Sequence, residues 1–229
     1  MEVHLAPGVG RHPSSLADGM RVECPAGLGT TPQYRLRLVP TLGRQRAVVE
    51  QLHHALLMAV REHQGRPASP TLGIVDSQTL RVMAPAGPHG YDAAKKINGR
   101  KRQIMVDSCG NFLAVRVTDG AVQDRDGSID LVRRVRALFP WIVLAAADSA
   151  YVGRFEAALA RLHILVEIVR RPDLAKGFVL LPKRWRVEQA FGAGRFCRRL
   201  LVDHETLPRV SEAMIRLGSI MRFVHTLTA

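Results

Sequence analysis

Two apolar runs that each end in an aspartate constrain this chain more than any other feature. Leu72-Gly73-Ile74-Val75 has the apolar, partly β-branched make-up of a buried strand, and Asp76 closes it. Trp141 to Ala147 repeats the pattern, and Asp148 closes that run. Sites in open α/β sheets gather at the carboxyl ends of strands. If the two runs lie side by side, their carboxylates come within a few ångströms of each other.

The segments around these runs set the class. Val48, Val49, Leu52, Ala55, Leu56, Ala59 and Val60 recur at three- and four-residue steps, which predicts an amphipathic helix over 46–64. Gly65, Pro67 and Pro70 end it. Residues 83–98, with two prolines and two glycines in 85–90, read mainly as loop. Lys101–Val106 and Phe112–Val117 read as two antiparallel strands about a turn at Ser108-Cys109-Gly110-Asn111. A helix follows from Gln123 to about Leu138, with Asp124 or Asp126 as its cap, and Pro140 stops it. Later segments predict a helix over 154–162, a strand over 164–169, and helices over 184–200 and 207–226. This order predicts a mixed α/β fold. Residues 1–45 differ: ten prolines and glycines from Pro7 to Pro40 break any pattern, and they read as an irregular arm. The division expected is arm 1–45, linking helix 46–70 and catalytic domain 71–229.

Charge narrows the partner. Lys and Arg number 33 against 20 acidic residues, a net charge of +13, which favours a polyanion, most often nucleic acid. No apolar run reaches the roughly 18 residues of a membrane span. The first residues lack the basic lead and apolar core of a signal peptide. The three cysteines are far apart and form no Cys-x-x-Cys pair, so a cytoplasmic setting is expected.

Glu188 lies in the first turns of a predicted helix that can cross the same sheet edge as Asp76 and Asp148. Three carboxylates without a histidine or cysteine cluster suit Mg2+ or Mn2+ better than zinc. Two such ions about 4 Å apart activate an attacking hydroxyl and stabilise a leaving oxygen in phosphodiester exchange. Each residue alone also has a plainer reading. An aspartate after a strand is often a turn or cap residue, and a helical glutamate beside arginines is often a solvated ion pair. The basic residues Lys95, Lys96, Arg100, Lys101 and Arg102 suit phosphate contacts, and Arg198 and Arg199 extend a second basic group.

Five stretches, in order, resemble the DDE transposases of bacterial insertion sequences, in the group of insertion sequence five. They are Gly73 to Gln78, Gly90 to Arg102, Val122 to Gly127, Ala147 to Gly153 and Leu181 to Glu188. The resemblance runs from about Arg46 to the end. It implies an RNase H-like mixed sheet flanked by helices. It places the family's catalytic, metal-holding acids on Asp76, Asp148 and Glu188, with two Mg2+ or Mn2+ ions. It matches the family's arginine to Arg184 and its later basic residue to Arg195. Water-driven cutting at the element's ends and joining of the freed 3′ hydroxyl to target DNA are the implied chemistry. A homodimer on DNA, in the bacterial cytoplasm at the nucleoid, is the implied setting.

Two departures qualify the resemblance. Residues 1–45 do not resemble the family's N-terminal region. Leu38 to Gly43, written as CTG GTT CCG ACG CTG GGA, reads Trp-Phe-Arg-Arg-Trp one base later, so these residues are expected to be an out-of-frame start; gene codons lacking that motif end the idea. Gly192 and Gly194 fall inside the Glu188 helix, each costing about 1 kcal/mol against Ala. Two other readings stand beside an active transposase: a catalytically silent DNA-binding remnant, and an unrelated metal nuclease of RNase H-like fold.

Overall fold

A computed structural model describes residues 44–83, 87–170, 182–194 and 197–229 of the chain. The expectations for residues 1–43 and for Arg195 lie outside the described residues. Gly43–Ala229 forms one compact unit.

The sheet is built on β1 (Leu72–Arg81), β2 (Gly90–Asp92), β3 (Ile97–Val106), β4 (Phe112–Asp119), β5 (Leu144–Ala147) and β6 (Leu165–Ile168). β3 pairs antiparallel with β1, β2 and β4, while β1–β5 and β5–β6 are parallel. Along the sheet the order is β4 and β2, then β3, β1, β5 and β6. An antiparallel meander continued by two parallel strands is the RNase H-like arrangement that the resemblance implies. The turn between β3 and β4 falls on the predicted residues, with Gly110 at φ +81°, where a side chain would be strained.

Among the described residues five α-helices flank the sheet: α1 (Arg44–His63), α2 (Asp124–Leu138), α3 (Arg154–Ala160), α4 (Pro182–Gly194) and α5 (Pro208–Thr228). Strand periodicity divides the core in two. On one face Val75, Met105, Ala114, Ala145 and Ala147 meet Leu131, Val132 and Val135 of α2, Phe155 of α3, and Leu57 and Val60 of α1. On the other face Ile74, Ile104, Val106 and Ala146 meet Val187 and Ala190 of α4 and Ile215 of α5. Asp76 stands two residues from Ile74 and so belongs to the α4 face.

Several predicted boundaries change. β1 does not stop at Val75 but runs to Arg81, because β3 pairs with it from Ile74 onward. The loop expected over 83–98 contains β2, held by its pairing with the start of β3. The cap of α2 is Gln123, without a side-chain bond, rather than Asp124 or Asp126. The helix expected over 184–200 ends at Gly194, and a separate short turn covers Arg198–Leu200. No helix among the described residues is long and apolar enough to cross a membrane.

Candidate active site

The parallel register sets the first two acids side by side. Leu72, Gly73 and Ile74 pair with Leu144, Ala145 and Ala146. Extended by two residues on the same face, that register puts Asp76 opposite Asp148. β5 stops at Ala147, so Asp148 is free to begin a short 3-10 turn, where its carboxylate accepts a bond from Ala150 N at 2.9 Å. Asp76 Oδ1 accepts from Ser77 N at 2.7 Å.

The third acid arrives on α4. Val187 and Ala190 seat this helix on the sheet, and Glu188 between them remains exposed. Arg184, one turn earlier, joins the set: its Nη2 lies 3.6 Å from Glu188 Oε1 and 4.0 Å from Asp148 Oδ2. Burial pushes the Asp76 carboxyl up from 3.8 to about 6. The Ser77 bond opposes that rise, the charge of Asp148 adds to it, and Arg184 and Lys95 oppose it. Asp76, Asp148, the Arg184 guanidinium and the Lys95 ammonium therefore act on one another, and Arg184 links them to Glu188.

The donor set suits a hard divalent cation. All three side chains offer oxygen, and a cation beside Asp76 would relieve both the desolvation and the repulsion from Asp148. Among the described residues, however, no three His, Cys, Asp or Glu side chains are gathered closely enough to form a single metal shell. Arg184 is the positive charge that Asp148 and Glu188 face in this arrangement.

The proposed DNA contacts divide. Lys95 and Lys96 are exposed, as are Arg198 and Arg199, although Arg199 is bonded to Glu205 Oε1 at 2.7 Å. Arg100, Lys101 and Arg102 require correction as surface phosphate contacts. They lie on β3, an internal strand covered on both faces, and are 0%, 5% and 5% exposed. Arg100 donates to the carbonyls of Pro88, Glu205 and Thr206 at 2.6–2.7 Å. Lys101 meets Asp124 at 2.9 Å and Asp92 at 3.3 Å. Arg102 donates to Leu200 O at 2.7 Å.

The remaining acids are tied into structure. Asp107 is fully buried against Arg61 and the β3–β4 turn. Asp126 faces Arg154 at 3.4 Å. Tyr151 went unremarked from sequence beyond its place in the Asp148 motif. Its buried hydroxyl lies 3.4 Å from Ser128 Oγ, and burial, with the Asp76 charge next, pushes its pKa well up. No periodicity points to it; only the fold brings it within reach of the Asp76 charge.

Comparison with known proteins gives the ancestry. The family described as Transposase DDE domain matches residues 67–222. No curated protein matches the chain. Among solved structures, the catalytic core domain of BIV integrase is 14% identical, covering 66% of this chain and 81% of its own, with a TM-score of 0.40. The catalytic domain of Mos1 mariner transposase is 10% identical over 83% of this chain and 97% of its own, with a TM-score of 0.37. The Mos1 mariner paired end complex with Mn is 11% identical over 88% of this chain and 67% of that one, with a TM-score of 0.35.

Proposed function

The chain belongs to the DDE transposase family, and from that premise we propose that it cuts and joins the DNA of an insertion sequence in a metal-dependent reaction. The observation that supports this reading is the parallel register that sets Asp76 opposite Asp148, with the Arg184 guanidinium reaching both Asp148 and Glu188. Asp76, Asp148 and Glu188 would hold the Mg2+ or Mn2+ ions. Bound there, a pair of ions supplies Lewis-acid activation of the attacking hydroxyl and charge stabilisation at the leaving oxygen.

The protein's own groups prepare that chemistry. Asp76 must be ionised to bind a cation, so its raised pKa makes occupancy fall below about pH 6. Arg184 neutralises Asp148 and Glu188 until a phosphodiester and its ions arrive, and then offers its fork to a phosphate oxygen. Lys95, Lys96, Arg198 and Arg199 supply exposed positive charge for the flanking phosphates. Arg195 is assigned the same role from the family pattern. The catalytic unit is 71–229, with the helix of 46–70 linking it to residues 1–45. The partners are the element's ends and target DNA, engaged by a homodimer in the cytoplasm at the nucleoid.

One observation favours a second reading, a DNA-binding remnant that does not cut. The described acids are not closed into one metal shell. A Mg2+-dependent strand-transfer assay on duplexes carrying the element's inverted repeats separates the two. Transfer that disappears in Asp148→Ala and Glu188→Ala, with salt-sensitive DNA binding kept, supports the transposase. Binding without cleavage by the unaltered protein, in both Mg2+ and Mn2+, favours the remnant. Cleavage without end preference rejects an end-specific transposase.

A further inference from the structure

Arg102 is a buried cation without a carboxylate partner. Its side chain is 5% exposed, and among the described residues no acidic oxygen lies within ion-pair distance of it. Nη1 donates to Leu200 O at 2.7 Å, while among the described residues the buried Nε has no hydrogen-bond partner. The acid whose charge acts on it, Asp203, is committed to Ser211 Oγ at 2.7 Å and to Arg100 at 3.5 Å. Burial lowers the guanidinium pKa to about 10. An unpaired charge out of water is costly, and proteins ordinarily pair it.

Arg102 lines a cavity of about 400 Å³ on the α4 face of the sheet. Its floor includes Gln78 and Ile104, and its roof includes Ala190 and Phe191 of α4. Leu200 and Ile215 close the side. The lining side chains are apolar apart from Arg102 and Gln78, which pair in register across β1 and β3. This size falls within the range of small-molecule sites, as does a lining of apolar walls with a few polar anchors.

We propose that this cavity is a binding site for a small amphipathic anion, an aromatic or aliphatic body carrying one phosphate or carboxylate group. The acid group bonds Arg102, the body fills the apolar space, and Gln78 meets a polar edge. The inference does not depend on the strand-transfer reading, since it requires neither the acids nor DNA. None of Asp76, Asp148, Glu188 and Arg184 lines the cavity.

The probe is 1-anilinonaphthalene-8-sulfonate, an aromatic body with a single anionic group, titrated by fluorescence into the full chain without DNA. One saturable site per chain is expected. Arg102→Met should weaken it about tenfold or more, because a charge-assisted bond is lost, and Arg102→Lys should recover part of the affinity. Ala190→Leu, which extends a side chain into the cavity, should remove binding. Equal affinity in the wild-type, Arg102→Met and Ala190→Leu proteins overturns the proposal. Competition identifies the source: displacement by dTMP assigns a nucleotide, displacement by octanoate assigns a free aliphatic acid, and displacement by neither overturns the site. A second measurement needs no ligand. With its charge unpaired, Arg102→Met should leave the Tm within a few degrees of wild type or raise it. A fall beyond that shows the protein itself satisfies the charge, and the proposal fails.

Discussion

Replacing Asp107 by Ala will lower the unfolding free energy by about 3–5 kcal/mol, the loss typical when one partner of a buried ion pair is removed. Asp107 has no exposed surface and pairs with the equally buried Arg61 of α1. Its Oδ1 also accepts from Cys109 N at 2.8 Å and Asn111 N at 2.9 Å, and its Oδ2 accepts from Asn111 Nδ2 at 3.1 Å. The Arg61 guanidinium is fixed in turn by the carbonyls of Pro67 and Ala68 at 2.9 and 3.1 Å. One carboxylate thus ties the end of α1, the loop before β1 and the β3–β4 turn together. Truncation leaves a buried guanidinium and two turn amides unsatisfied, each carrying its own desolvation cost. Against a total stability of roughly 5–15 kcal/mol, that is a large fraction. Urea unfolding measures it. The double change Arg61→Met with Asp107→Leu should recover most of the loss, because the orphaned charge goes too. A cost below about 1 kcal/mol for Asp107→Ala would show that the network does not hold these segments.

That network illustrates what sequence could and could not yield. Asp107 was readable as a turn residue because it borders Ser108-Cys109-Gly110. Its partner in α1 was not readable, since 46 positions separate them and only the packing of α1 on the sheet joins them. α2 was legible to within a residue or so, because an acidic start and Pro140 mark its limits, although its cap proved to be Gln123. The approach of Asp76 and Asp148 was legible for a similar local reason: two apolar runs each end in an acid, and parallel pairing sets those ends level. The basic run misled. Arg100, Lys101 and Arg102 look in sequence like a phosphate-binding loop, yet they occupy the centre of β3. Carbonyls from Pro88, Val122, Leu200, Glu205 and Thr206 receive them, and most of these come from segments distant in sequence. Charge counting cannot distinguish a cation bound by remote carbonyls from one facing water.

Asp76→Asn will move stability and activity in opposite directions. The fold raises the Asp76 pKa from 3.8 to about 6, so it disfavours the carboxylate. The sign follows from proton linkage. Below about pH 4 the group is protonated in both folded and unfolded chains and has no effect. Between about pH 4 and 6 the unfolded chain ionises first, and the folded state loses stability. Above about pH 6 the full cost is present. Asparagine carries no charge, so without divalent metal the variant should be more stable than wild type at pH 8 by about 1–2 kcal/mol, discounted for partial exposure. In a domain of this size that raises the Tm by roughly 2–8 °C. At pH 4 the two proteins should melt together. Mg2+ or Mn2+ should stabilise the wild type at pH 8 and have little effect on the variant, because a cation there repays ionisation only where a carboxylate exists. Strand transfer should fall by about a thousandfold or more, as expected when a group essential to the reacting charge is removed. Thermal melts at the two pH values, with and without metal, read the first effect, and the strand-transfer assay reads the second. A variant no more stable than wild type at pH 8 would show that Asp76 bears no such cost. A variant that still transfers strands would remove Asp76 from the reaction, whatever its place beside Asp148.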